Sequence, residues 1–100
     1  MKVKNMTSVN GNTIPNQFII SEEGRGANGN FIKKEVFQSY NSIIVERIIW
    51  KDRVDIKLDR NKWNYSKTTS KYRNLFLGKT TKETQKKIDS GAYILDDLNK

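Results

Sequence analysis

The stretch VDIKLD, residues 54–59, alternates apolar and charged side chains with a period of two. Successive side chains of a β-strand point to opposite faces of the sheet, so this period is typical of a strand with one buried and one solvated face. The strand is predicted to turn its apolar residues (Val54, Ile56, Leu58) inward and its charged residues (Asp55, Lys57, Asp59) to solvent.

Further strand signal lies upstream. Residues 31–40 and 42–50 are rich in β-branched and aromatic residues, and the apolar runs at 43–45 and 48–50 predict a central, largely buried strand. Nearer the start, Asn10-Gly11 separates two shorter strand-like segments, which is the strongest short signal for a hairpin. Pro15 predicts that the second hairpin strand lies at a sheet edge or begins after it, since proline cannot donate to a ladder.

A polar, glycine-rich segment runs from Ser21 to Asn30. Its glycines and acids offer no apolar anchor, and glycine adds backbone freedom. A flexible loop is therefore predicted at 21–30.

Helical patterns follow the alternating strand. Ser66 is a suitable N-cap for a short helix that Gly78 ends in a left-handed conformation. Thr80 and Glu83 have the spacing of a capping box, which opens a second helix that stops near residues 90–91. Residues 92–98 resemble a last strand. In the first helix the predicted core face is Tyr72, Leu75 and Phe76.

These elements predict an α+β fold, a small, mainly antiparallel sheet with two short helices near the C-terminal end. One hundred residues is a common size for one domain, so residues 1–100 are interpreted as a single domain.

Composition excludes several classes of function. The chain has no cysteine and no histidine, which removes disulfides, thiolate metal sites and the commonest catalytic groups. The first six residues contain two lysines with no apolar run behind them, so neither a signal peptide nor a membrane anchor is expected. A cytoplasmic location is predicted, with no membrane partner.

The net charge of +8 is uneven along the chain. Residues 1–50 carry +2 and residues 51–100 carry +6, and the segment 57–87 holds ten basic residues against two acids. Such a segment attracts acidic partners, nucleic acid in particular, although a solvated lysine-rich face is the alternative interpretation.

Residues 63–78 interleave aromatic, basic and hydroxyl side chains, a mixture typical of nucleic-acid binding. Lys67 and Lys71 lie four apart, on one helix face. Trp63, Tyr72 and Phe76 also fit a core role, which is the commoner one for aromatic residues at helical spacing, and Tyr65 fits either role. The predicted nucleic-acid or partner-binding residues are Lys62, Trp63, Tyr65, Lys67, Lys71, Arg73, Lys82, Lys86 and Lys87.

An enzyme is not predicted. Asp55-Ile56-Lys57 is similar to half of a nuclease motif, with Glu35 or Glu46 as a second carboxylate for magnesium, but so short a match arises by chance in many charged strands. No catalytic residue, metal site or cofactor is assigned.

Several short motifs resemble a family of small phage and mobile-element proteins of unknown function. They occur at 37–44, 63–66, 68–69, 71–74, 76–78, 83–84, 87–88, 90–91, Leu95 and 98–99, so the resemblance spans Phe37 to Asn99. It implies a phage or mobile-element accessory protein and carries no activity to any residue. The segment from Ser21 to Lys34 departs from the pattern as an insertion.

Two hypotheses follow. In the first, the protein binds DNA, RNA or a nucleoprotein through residues 57–87. In the second, which draws on the resemblance, it is an anti-defence protein, such as an anti-CRISPR inhibitor, that docks on a host effector protein through aromatic anchors. The oligomeric state is not predicted.

Overall fold

The structure is a computed structural model that describes residues 2–8, 10–24 and 32–99. Six strands and two short helices confirm the predicted α+β fold. In chain order the elements are β1 (Lys2–Thr7), β2 (Thr13–Glu23), β3 (Lys33–Ser39), β4 (Ser42–Ile49), β5 (Val54–Asp59), α1 (Lys67–Leu77), α2 (Thr81–Asp89) and β6 (Tyr93–Asp96).

The strands form one sheet in the order β1-β2-β3-β4-β5-β6. Each of the first four strands pairs antiparallel with the next, as expected for consecutive strands joined directly by turns or loops. β6 pairs parallel with β5 because the chain returns through α1 and α2 before it enters β6. The two helices therefore make up a crossover connection.

The β1–β2 hairpin is confirmed, but the expectation for Pro15 is wrong, since Pro15 lies inside β2, an interior strand. The β1–β2 pairing jumps from Phe18 to Thr13, and the β2–β3 pairing reaches only to Gln17. Pro15 thus falls in an irregular stretch that is in register with neither neighbour. The missing N–H costs no ladder hydrogen bond, which is how an interior strand tolerates proline here.

The predicted loop begins later than expected. Residues 21–23 belong to β2 and pair with residues 33–35 of β3. The N–H of Gly24 then donates to the carbonyl of Ile32, at 2.7 Å. Residues 25–31 lie outside the described part of the chain, so the flexibility of this segment stays a prediction.

The core lies between the sheet and the helices. Phe37, Val45 and Leu58 are fully buried, and the ring of Phe37 stacks on that of Phe76 in α1 with 5.9 Å between centroids. A bulge in β4 places Ile44 as an extra residue, because Phe37 pairs with Val45 while the next residue of β3 pairs with Ile43. Ile44 and Val45 are both fully buried for this reason, although they are neighbours on one strand.

β5 follows its predicted pattern only in the middle. Leu58 is fully buried and Ile56 packs against the core, but Val54 is 53% exposed at the first position of the strand, beside an exposed turn. Asp59 was expected in solvent and is 3% exposed. Its carboxylate accepts hydrogen bonds from the N–H groups of Asn61 (3.2 Å) and Leu98 (2.9 Å), which replace the lost water.

The helix caps are confirmed. The side chain of Ser66 accepts from the N–H of Thr69, Gly78 ends α1 with φ 67°, and Thr80 with Glu83 forms the capping box of α2. Of the predicted core face of α1, Phe76 is buried and Tyr72 packs against the core, but Leu75 is 52% exposed. Thr69 and Arg73 are the other buried residues of the helix.

Candidate functional site

Arg73 was predicted to contact a partner, but its side chain is buried and is not placed at the surface. It is fully buried on the core side of α1, at the i, i+3 spacing to Phe76 that places both side chains on one face. Its guanidinium ties α1 to the preceding loop and to the start of α2. The acceptors are the carbonyl of Trp63 and the side-chain oxygens of Asn64 (3.3 Å), Ser70 (3.4 Å), Asn74 (2.9 Å) and Thr81 (2.7 Å).

All five acceptors are neutral. Within residues 2–8, 10–24 and 32–99, no carboxylate forms an ion pair with Arg73. Burial lowers the pKa of Arg73 from its ordinary value, because the charged form loses hydration. Arginine nevertheless stays protonated in proteins, so the core beneath α1 holds an uncompensated positive charge.

A shallow cleft of about 370 Å³ opens where α1 begins. Three of its residues (Asn64, Ser70 and Thr81) are acceptors for Arg73, so the guanidinium lies directly behind its wall. We call it the α1 cleft, and its lining consists of Asn64, Tyr65, Ser66, Lys67, Ser70 and Thr81.

The five predicted lysines of the two helices are exposed, and none of them forms an ion pair within the described part of the chain. Lys67 lines the α1 cleft, whereas Lys71 lies over the ring of Tyr72 at 5.3 Å and faces a different groove. We define the basic helical surface as Lys67 and Lys71 of α1 with Lys82, Lys86 and Lys87 of α2.

Other basic residues of the segment 57–87 are less free to contact a partner, because they interact with neighbouring side chains. Lys57 pairs with Asp96 at 3.6 Å and Arg60 with Asp97 at 3.8 Å. Lys62 is half-buried, with its ammonium group 4.9 Å from the centre of the Tyr65 ring. The usable positive charge is therefore smaller than the sequence suggests and lies mainly on the helices.

The two aromatic candidates differ. Tyr65 is 48% exposed at the rim of the α1 cleft, where its ring is accessible. Trp63 is half-buried, packs against the core and holds the Arg73 guanidinium 5.1 Å from its ring centre. The core role that the helical pattern favoured for Trp63 and Tyr72 agrees with their packing, so Tyr65 is the aromatic candidate that remains.

Three residues of the possible nuclease constellation, Glu46, Asp55 and Lys57, line one pocket of about 420 Å³, whereas Glu35 does not line it. Asp55 accepts from the indole N–H of Trp50 at 2.7 Å, and Glu46 pairs with Lys34 at 3.6 Å. Glu35 is held by Arg47 at 2.8 Å. Among the residues that the structure describes, no group of three acids is placed to hold a metal ion.

The sequence interpretation missed Asn64, Ser70 and Thr81 as a group. Nothing in their spacing predicts that they meet, since Thr81 belongs to the second helix. Arg73 had a readable signal, because it lies three residues before Phe76 and four after Thr69, on the face that Phe76 places against the core.

The fold and this surface define a small α+β protein with a lysine-rich helical crossover packed on one face of its sheet. The chain belongs to a family of unknown function, DUF8033, which matches residues 1–91. The matched range includes the segment from Ser21 to Lys34. No curated protein and no solved structure matches the chain. In the described residues, no helix is long and apolar enough to cross a membrane.

Proposed function

We propose that the protein binds nucleic acid, free or within a nucleoprotein, through the basic helical surface and the adjoining α1 cleft. The observation that supports this most directly is a set of exposed lysines that form no ion pair with any described residue, beside an exposed tyrosine. Lysines in this state gain by contact with phosphates, because binding releases the counterions condensed on the nucleic acid. A tyrosine ring at the same place supplies a surface on which a base stacks.

Docking on a host effector protein is the second candidate. A groove of about 380 Å³ lies beside α1, and the exposed side chain of Leu75 lines it together with Lys71 and Lys79. An apolar side chain flanked by two cations fits an acidic protein surface with an apolar centre. An anti-defence role, such as inhibition of a CRISPR effector, would use this groove.

The origin of the protein belongs to the same proposal. A phage or mobile-element accessory role rests on the resemblance from Phe37 to Asn99, and the cytoplasm as its location rests on the missing cysteines. Neither the match to a family of unknown function nor the geometry bears on them.

The test is a salt titration of fluorescent single-stranded and duplex DNA and RNA. We expect the logarithm of the affinity to fall linearly with the logarithm of the salt concentration, by about 0.9 per phosphate contact on duplex DNA. Lys67→Ala with Lys71→Ala should flatten the slope by about two units and weaken all sequences alike. The matched control is Lys2→Ala with Lys51→Ala, which removes the same charge at exposed positions elsewhere.

Absence of binding at low salt, or an unchanged slope in the Lys67 and Lys71 double variant, would show that this surface does not bind nucleic acid. Docking on a protein would be favoured instead if a host partner stays bound after nuclease treatment of a lysate and if Leu75→Asp abolishes its binding.

A further inference from the structure

We propose that the α1 cleft is a phosphate-binding site. In the nucleic-acid complex this phosphate would belong to a single strand whose adjoining base stacks on Tyr65. The second statement rests on the proposed function, whereas the first is a property of the cleft alone. The phosphate site is inferred from the positive charge of the buried Arg73 guanidinium and from the way this guanidinium orients the polar groups around it.

The first step is the charge behind the cleft. A buried ion is costly unless an opposite charge or a full set of hydrogen bonds compensates it. Among the described residues, Arg73 has neutral acceptors but no carboxylate, and none of them accepts from its Nε–H. Its field is therefore not cancelled locally. A low-dielectric surrounding transmits that field to the cleft wall, where an anion gains from it.

The second step is the orientation of the wall groups. A guanidinium only donates, so each side-chain oxygen that faces it must accept. Oδ1 of Asn64 accepts from Arg73 and also from the hydroxyl of Ser70, at 2.9 Å. Oγ1 of Thr81 accepts from Arg73 at 2.7 Å. The acceptor sides of these groups are thus turned toward the protein interior.

The third step concerns the donors that remain. Nδ2 of Asn64 has no acceptor within the described part of the chain, and the hydroxyl of Thr81 keeps its own hydrogen to donate. Ser66 is in the same state, because its oxygen accepts from the N–H of Thr69 and its hydrogen is left over. With the ammonium group of Lys67, the cleft presents donors and positive charge, which is the requirement of a tetrahedral oxyanion.

The fourth step is the size and the rim. The cleft, about 370 Å³, is larger than one phosphate group needs, so a linked sugar also fits. Tyr65 lies at the rim with about half of its side chain exposed, and Lys62 lies near its ring. A phosphate with a base next to it, as in an unpaired strand, satisfies both parts of the site. A duplex keeps its bases stacked and leaves Tyr65 without a partner.

The variant that separates this proposal from a structural role is Asn64→Asp. The carboxylate keeps both accepted hydrogen bonds and supplies the counter-charge that Arg73 lacks, so the fold should be as stable as in the wild type or more stable. The same change replaces the free donor by a negative charge in the cleft. Asn12→Asp makes an identical change in net charge in the exposed β1–β2 turn and is the matched control.

The measurement is an NMR titration with inorganic phosphate at constant ionic strength, following the Asn64 side-chain amide and the backbone amides of residues 66–68. We expect saturable shifts in the wild type and in Asn12→Asp. In Asn64→Asp the phosphate dissociation constant should rise by at least about tenfold, since a charge-assisted hydrogen bond gives way to repulsion. No saturable shift in the wild type, or equal affinity in Asn64→Asp, would overturn the proposal.

The same variants separate the two proposals. If single-stranded oligonucleotides bind the wild type and Asn64→Asp equally, the α1 cleft does not hold a phosphate of the bound strand, while the basic helical surface still binds nucleic acid. If inorganic phosphate binds the cleft and no oligonucleotide binds at low salt, the phosphate site is right and the proposed function is wrong. Preference for duplex over single strand would overturn the assignment of Tyr65.

Discussion

The side-chain amide of Asn99 pairs with both main-chain groups of Ile43. Oδ1 accepts from the N–H of Ile43 at 2.6 Å, and Nδ2 donates to its carbonyl at 2.8 Å. The β4–β5 ladder ends at the pair Val45 and Leu58, so Ile43 has no partner on that strand. One amide side chain thus extends the ladder past the end of β5 and fixes residues 97–99 beside β4.

Asn99→Ala should lower the free energy of unfolding by about 1 to 2 kcal/mol, because two hydrogen bonds that seal the end of β4 are lost. Chemical denaturation measures the change. Asn61→Ala is the control, since Asn61 is exposed and, in the part of the chain that the structure describes, only its backbone N–H makes a hydrogen bond. Equal stability of the two variants would mean that the amide of Asn99 contributes nothing.

Arg73→Lys should destabilise the fold by at least about 2 kcal/mol. An ammonium group cannot reach the acceptors on the loop, α1 and α2 together, so hydrogen bonds that link these three parts of the chain are lost. Thermal and denaturant unfolding give the value, with Lys71→Arg as the exposed counterpart. A change below about 0.5 kcal/mol would show that the network does not hold the crossover together.

Tyr65→Ala should weaken binding of single-stranded nucleic acid by about 1 to 3 kcal/mol at an unchanged melting temperature. The ring is half-exposed, so its removal costs little packing. Tyr65→Phe should retain the affinity, because stacking needs the ring and not the hydroxyl. A lowered melting temperature with intact affinity would assign Tyr65 to the core.

Stability should decline at alkaline pH in part through Tyr93. Burial raises the pKa of this phenol above its ordinary value, an effect that Glu83 adds to and Arg47 opposes. As pH rises, the unfolded chain loses the phenolic proton before the folded protein does. The contribution of Tyr93 to the stability of the fold is therefore complete below about pH 10 and is lost as pH rises through the pKa of Tyr93 in the folded protein.

Tyr93→Phe should therefore show a shallower decline between about pH 9 and about pH 11 than the wild type. Denaturation at each pH measures it, with Tyr40→Phe, at an exposed position, as the correction for the loss of one phenol. Parallel curves for Tyr93→Phe and wild type would contradict the assignment.

The capping box of α2 should make the stability of the fold depend on pH in the acid range. The pKa of Glu83 is lowered chiefly by the hydrogen bond from the backbone N–H of Thr80, and further by the Thr80 side chain and by Lys79 and Lys86. The stabilisation by the Glu83 carboxylate is present above about pH 4.3 and is lost as pH falls through the pKa of Glu83 in the folded protein.

Glu83→Gln keeps a hydrogen-bonding side chain at the third helical position but does not titrate. Melting temperatures measured from about pH 6 to about pH 2 should therefore fall less steeply in this variant than in the wild type. The same slope in both proteins would show that Glu83 does not couple to folding.

Much of the fold was predictable because local chemistry determines it. Asn10-Gly11, the Ser66 cap and the Thr80 capping box act over four residues or fewer, so their positions are visible in the sequence. Pro15 and Asp59 were misjudged because their surroundings are set by residues far away in the chain. An interior irregularity accommodates Pro15, and the N–H of Leu98 accounts for one hydrogen bond to Asp59.

The candidate site was predicted in part. Composition and helical spacing find exposed lysines such as Lys67 and Lys71, because solvation of a lysine depends mainly on its own helix face. The cleft was not predictable, since it depends on Asn64 and Thr81 meeting around one guanidinium. Such a meeting is a property of the tertiary structure, and only the burial of Arg73 had a signal in the sequence.

The parallel pairing of β6 has a kinetic consequence. Strands β1 to β5 pair with their neighbours in the chain, so each ladder closes over a short turn or loop at a small entropic cost. The ladder between β5 and β6 closes only after the whole crossover, and contacts between residues so distant in sequence form slowly. The α1 cleft lies within that crossover, so we expect it to become fixed on the sheet only when the crossover docks. A folding intermediate with an intact five-stranded sheet and an undocked crossover is then expected to bind phosphate more weakly than the native protein.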